Sequence, residues 1–269
     1  MLNDIAIGQY FPGQSVLHRL DPRTKIFGTA IFIISIFLAS TAIPYIAVIG
    51  FCFFAMGLSQ LPVRIFWGSI KPLWIIVAFT WGIHLFSAPG EVFFRIGPLG
   101  ATYEGLRLGF FMSSRLVLLI AFSSLLTFTT SPLALTDGIE QILKPFKKIG
   151  VPAHELAMMM TIALRFIPTL LEETDRIMKA QTARGADFSS GGLVKRARNM
   201  VPLLVPLFIS AFRRADDLAI AMEARCYRGG ENRTRMKKLR FGKIDLICSI
   251  ALLIYLGAII YLWRGSYGF

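Results

Sequence analysis

Apolar residues gather into five long runs, roughly Ile26–Ala42, Pro44–Leu61, Pro72–Ala88, Gly105–Thr129 and Ile244–Trp263. Phe, Ile, Leu, Val and Ala dominate them. A helix rising about 1.5 Å per residue needs about 20 such residues to cross about 30 Å of hydrocarbon. In lipid the backbone has no water to bond, so each run is predicted to be a helix. The third run holds His84, and the fourth holds Arg107 and Arg115.

The pattern changes between the fourth and fifth runs. Ser131 caps well and Pro132 suits a first helical turn, which predicts a helix to about Lys148, broken at Gly150-Val151-Pro152. A second helix is predicted from about Pro152 to Arg184. Leu156, Met159, Met160, Ala163, Leu164, Ile167, Leu170 and Leu171 recur along it at helical spacing. Glu155, Arg165, Glu172, Glu173, Asp175 and Lys179 make it too polar to span, and Pro168 is predicted to kink it. After Ser189-Ser190-Gly191-Gly192 a third helix runs to about Tyr227. Its stretch Val201–Phe212 is apolar but short and carries Pro202 and Pro206, which favours an interfacial or packed segment over a sixth span. The organisation is thus an all-α membrane protein of about five transmembrane helices with about three long helices inserted: residues 1–130 as a membrane domain, 131–243 as an inserted helical domain, and 244–269 as the last span.

Composition sharpens this picture. The 269 residues are 55% hydrophobic with a formal net charge of +13, and the mean hydropathy is +0.61. Of the 29 Lys and Arg, 20 fall within 131–243, together with 11 of the 16 Asp and Glu. Such a block suits anionic lipid or an acidic protein surface; no nucleic-acid-binding signature accompanies it. Basic connections alternate with poor ones along the chain. His18, Arg19, Arg23 and Lys25 precede the first span, Arg64 and Lys71 follow the second, and the insert follows the fourth. The positive-inside rule then places the N-terminus and the insert in the cytoplasm and the C-terminus outside. The start of the chain is too polar for a cleavable signal peptide. Cys52, Cys226 and Cys248 form neither a paired framework nor a metal spacing.

The two longer insert helices are predicted to finish alike, one at Ala183-Arg184-Gly185 and the other at Ala224-Arg225-Cys226. Aligned on the arginines, Asp175 matches Asp216 and Ala180 matches Ala221. Either ending alone reads as an ordinary cap, with Arg complementing the helix dipole. Two copies at matching offsets in one basic insert point instead to paired contacts with a partner. The planar Arg fork suits carboxylates and stays charged when desolvated.

With these motifs in view, the sequence resembles the transmembrane T component (EcfT) family of energy-coupling factor transporters, ABC-type importers of vitamins and trace metals. The resemblance covers essentially the whole chain. It rests on Leu17-His18-Arg19-Leu20-Asp21-Pro22-Arg23-Thr24-Lys25, on Thr129-Thr130-Ser131-Pro132, on Ala163-Leu164-Arg165-Phe166-Ile167-Pro168, and on the two Ala-Arg endings. It implies a scaffold in the cell membrane of a prokaryote. Ala183, Arg184, Gly185, Ala224, Arg225 and Cys226 would dock into grooves on two cytoplasmic ATPases. Those partners, rather than this chain, would bind ATP and magnesium, and a membrane-embedded S component would bind the vitamin. Cys226 departs from the ideal Ala-Arg-Gly and leaves the cap geometry there open.

Other chemistry finds little support. No G-x-x-x-x-G-K-[ST] loop is present, and Gly242-Lys243 is followed by Ile244, so the chain should not hydrolyse ATP itself. His18, His84 and His154 lack partners at metal spacing. Arg115 lies deep in its span, where charge is costly, and is read first as a structural pairing residue. The competing function is a self-contained secondary transporter or membrane enzyme using Arg115 or His84.

Overall fold

The computed structural model describes residues 10–96, 99–188, 192–230 and 239–266. The chain divides into two compact units, residues 10–138 with 239–266 and residues 139–230, and the division falls inside one helix.

The first unit begins with a short helix α1 (Val16–Arg19), followed by α2 (Pro22–Leu38), α3 (Ala42–Ser59) and α4 (Val63–Ile70). A 3-10 turn around Pro72 joins α4 to α5 (Trp74–Ser87). Strands β1 (Val92–Ile96) and β2 (Leu99–Thr102) then pair antiparallel, with Val92 opposite Thr102, before α6 (Tyr103–Thr129). This hairpin occupies a connection in which no strand is predicted. Helix α7 (Pro132–Leu143) leads away, and α10 (Lys243–Ser266) returns to the first unit.

Local sequence explains the helix ends. Asp21 caps α2 by accepting the Arg23 N–H at 2.9 Å, with Pro22 at the first helical position. Thr102 caps α6 through the Gly105 N–H at 3.0 Å, and Ser131 caps α7 through the Ala134 N–H at 3.3 Å.

Five described stretches are long and apolar enough to cross a membrane: Ala42–Ser59, Val63–Ser87, Tyr103–Thr129, Ala153–Ala183 and Lys243–Gly265. Four coincide with predicted spans. The first predicted run forms α2, but that helix stops at 17 residues because the chain turns at Ala39. At about 26 Å it still nearly matches the hydrocarbon core. Ala153–Ala183 meets the same criteria despite its charges, with a mean hydropathy of 1.2 over its most apolar 18 residues, the lowest of the five.

The core of the first unit is aromatic. Phe32 of α2 stacks on Phe122 of α6 with centroids 3.9 Å apart, and Phe51 of α3 stacks on Tyr255 of α10 at 4.1 Å. Phe32, Ile36, Val48 and Ile259 are fully buried among them. Lipid offers helices no hydrophobic reason to associate, so close packing and polar contacts must hold them. Helix α6 meets α5 through Gly105, Gly109 and Ser113, one residue per turn, with Ser113 Oγ donating to the Val77 carbonyl at 3.2 Å.

The Leu17–Lys25 signature ties the other helices together. The Lys25 amine donates to the Thr129 carbonyl at 2.8 Å and to Thr130 Oγ1 at 3.2 Å. Asp245 Oδ1 accepts the buried Asp21 N–H at 2.7 Å, while its Oδ2 accepts the Gly242 N–H at 2.8 Å. The start of α10 is thereby locked to the start of α2. Asp245→Asn removes one of those acceptors and is expected to cost about 1–3 kcal/mol. A lowered thermal midpoint of the purified protein checks this; an unchanged midpoint would contradict it.

The second unit holds α8 (Ala153–Ala183) and α9 (Leu193–Ala224), preceded by a 3-10 turn at Lys144–Ile149. Both helices continue unbroken past their internal prolines, Pro168 in α8 and Pro202 and Pro206 in α9. Gly192 caps α9, while Ser189, Ser190 and Gly191 of the predicted break lie outside the described residues.

Candidate functional site

Helices α8 and α9 pack on each other and each ends in an exposed Ala-Arg tip. Arg184 has φ −88° and ψ 7°, and Arg225 has φ −93° and ψ 14°, so the two caps share one backbone conformation. The next residue is left-handed in both, Gly185 at φ 89° and Cys226 at φ 54°. The Gly185 N–H donates to the Thr182 carbonyl at 2.9 Å and the Ala186 N–H to Gln181 at 3.0 Å. At the other tip the Cys226 N–H donates to Glu223 at 2.8 Å and the Tyr227 N–H to Met222 at 3.0 Å. Both are Schellman endings, which turn the chain sharply away and leave the arginine at the extremity.

Cys226 therefore takes the geometry of the glycine it replaces. A left-handed non-glycine residue carries a strain of about 1–2 kcal/mol. Cys226→Gly is accordingly expected to stabilise the protein by about 1 kcal/mol, and Cys226→Val to destabilise it. Thermal unfolding of the two variants checks this, and coincident midpoints would refute it.

Neither the Arg184 nor the Arg225 guanidinium forms a hydrogen bond or ion pair among the described residues. The helices meet instead at Arg214, whose Nη2 lies 2.9 Å from Glu173 Oε2. Positions 173 and 184 are eleven apart, as are 214 and 225, so this contact sits at the same distance from each tip. The Ser210 hydroxyl and the Arg214 guanidinium hold the Glu173 carboxyl below its ordinary range. The pair is partly exposed, with side chains 37% and 24% accessible, and contributes register more than stability. Beyond the α9 tip the chain returns to α8, where a Cβ on Gly230 would come within 2.5 Å of His154. His154 itself pairs with Glu140 at 3.2 Å. Sequence reasoning found neither contact, because spacing along a chain does not reveal which helix faces which.

Large apolar side chains remain uncovered on both helices. Met159 and Met160 on α8, and Val201, Val205, Phe208 and Phe212 on α9, are 40–68% exposed. Helix α9 is not among the described helices apolar enough to span.

The intramembrane candidates do not form a site. Arg115 Nη2 donates to the Ala39 carbonyl at 3.3 Å and its guanidinium lies 5.5 Å from the Phe37 ring centroid, so it caps the end of α2. His84 sits in the last turn of α5 with its ring making no hydrogen bond among the described residues. Arg107 lies over the Phe111 ring at 5.9 Å. No group of three or more His, Cys, Asp or Glu could hold a metal ion among the described residues.

These features define a multi-pass helical membrane protein carrying a pair of long helices with matching arginine tips. The sequence profile of the CbiQ family, described as cobalt transport protein, matches residues 13–236. The energy-coupling factor transporter transmembrane protein EcfT of Acidaminococcus fermentans is 61% identical over 253 residues, covering 94% of each chain. Its counterpart in Thermosediminibacter oceani is 60% identical over 250 residues, 93% of this chain and 94% of the other. That of Bacillus subtilis is 48% identical over 265 residues, covering 96% of this chain and all of its own. The chain belongs to this family of energy-coupling factor transporter transmembrane proteins.

Proposed function

We propose that this chain is the coupling subunit of an energy-coupling factor importer in a prokaryotic cell membrane. It transmits ATP-driven motion from two cytoplasmic ABC ATPases to a membrane-embedded, vitamin-binding S component. The observation that carries the reading is the matched pair of tips. Two exposed arginines, neither of them paired among the described residues, end α8 and α9 with one backbone geometry, as two equivalent partners require. Ala183 and Ala224 keep each tip narrow enough to enter a groove, and Gly185 and Cys226 turn the following chain out of the way.

The charge pattern supports a cytoplasmic N-terminus and insert. Among groups on this chain none supplies a phosphate-cradling loop, so ATP and magnesium belong to the partner subunits. The uncovered Met and Phe side chains of α8 and α9 offer an adaptable apolar surface for the S component. The same S component would also meet apolar faces of the spans. The alternative of a self-contained transporter is disfavoured by Arg115, whose charge is directed at the end of α2.

Purification of the chain from native membranes, followed by identification of what accompanies it, tests the reading. Two ATPase subunits and one substrate-binding membrane protein per chain are expected. Recovery of the chain alone under conditions that keep other membrane complexes intact would contradict it.

A further inference from the structure

Between α7 and α8, residues 144–150 are exposed throughout. Phe146 is 48% and Ile149 80% accessible. The turn is nonetheless closed. The Gly150 N–H donates to the Lys147 carbonyl at 3.1 Å and the Val151 N–H to Phe146 at 3.3 Å, with Gly150 at φ 92°. A fixed backbone thus displays two apolar side chains among Lys144, Lys147 and Lys148. No acidic residue occurs between Glu140 and Glu155.

We infer that this turn is an anchor for anionic lipid. Phe146 and Ile149 seat among headgroups and upper acyl carbons of the cytoplasmic leaflet, and Lys144 and Lys148 pair with lipid phosphates. Chain length supports the location, since only Thr130, Ser131 and the twelve residues of α7 separate the turn from the end of α6. The helix accounts for a reach of about 18 Å. Helix α7 also begins by crossing the bundle end: a Cβ on Gly138 would lie 2.9 Å from Pro22, at the start of α2. Both helix ends belong at the membrane surface, so α7 starts from it.

The residue types favour lipid over protein. Lysines extend a hydrated charge on a flexible stem while their carbons follow apolar surface, as interfacial segments require. Protein interfaces, in contrast, are depleted in lysine. Basic residues close to an anionic leaflet each strengthen binding about fivefold, so two act together by about thirtyfold. The inference uses the cytoplasmic orientation proposed above but not the docking of ATPases.

The test places a polarity-sensitive fluorophore on Ile149→Cys in the full chain. Cys226→Ser and Cys248→Ser remove the other accessible thiols; Cys52 is buried. The chain is studied in nanodiscs of phosphatidylcholine with or without phosphatidylglycerol. With phosphatidylglycerol we expect blue-shifted emission, quenching by headgroup-level nitroxide lipids and at least about tenfold protection from aqueous iodide. Omitting phosphatidylglycerol, or introducing Lys144→Gln with Lys148→Gln, should abolish the protection. A fluorophore that remains in water, or protection indifferent to lipid charge, would overturn the inference. So would protection that arises only when a partner protein is added. Labelling by an impermeant thiol reagent in sided vesicles reports the orientation separately. An outward-facing turn would therefore be recognised as failure of the functional reading.

Discussion

Reversing both tip charges, Arg184→Glu with Arg225→Glu, is expected to release the ATPases from a chain that still inserts in the membrane. Each guanidinium is exposed and makes no contact within the described residues, so its replacement removes nothing from the fold. In a partner groove the same group would be desolvated and matched to carboxylates. Substituting a carboxylate leaves like charges facing each other there, at a cost of about 2–5 kcal/mol per tip. That corresponds to roughly 30-fold to several-thousand-fold in affinity. The matching cap geometry makes the prediction sharper, since each single reversal should lose one ATPase of the two. Pull-down with quantified subunit ratios checks both statements. Full recovery of ATPases with the double variant would show that the tips are not the contacts.

The second large effect lies inside the membrane unit. Gly105→Ala is expected to destabilise the protein by about 3 kcal/mol or more, because the new Cβ meets backbone on two sides. It would stand 2.6 Å from the His84 carbonyl oxygen and 2.7 Å from that of Leu85. Those oxygens belong to α5 and move only if α5 and α6 separate, which would also break the Ser113 bond to Val77. Gly50→Ala supplies the contrast: nothing lies within 4 Å of a Cβ there, so the helix should be neutral or slightly stabilised. Thermal midpoints of the two variants in one detergent check the pair. Equal effects would mean that α5 and α6 are held by something other than their glycine contact.

Much of this architecture was legible because lipid imposes a simple rule. Runs such as Gly105–Thr129 must be helical wherever they cross a bilayer, and α6 spans Tyr103–Thr129. Ser131-Pro132 marked the start of α7 by capping chemistry that acts locally. The tips were visible because repetition at equal offsets survives without knowledge of contacts. What stayed hidden depends on tertiary partners. The turn at Ala39 is bound by Arg115 from another helix, and the Lys25 amine is satisfied by residues more than a hundred positions away. Cys226 gave no sign of its left-handed backbone, because a side chain ordinarily opposes it. Composition also blurred α8, whose most apolar 18 residues reach a mean hydropathy of only 1.2 while charged residues fill its second half.

As a coupling subunit, this chain is expected not to transport by itself. Uptake into liposomes containing the purified chain, alone or together with its ATPases and S component, tests that most directly. ATP-dependent vitamin accumulation is expected with the full set, and none with the chain alone under either ATP or an ion gradient. Accumulation by the isolated chain would contradict it.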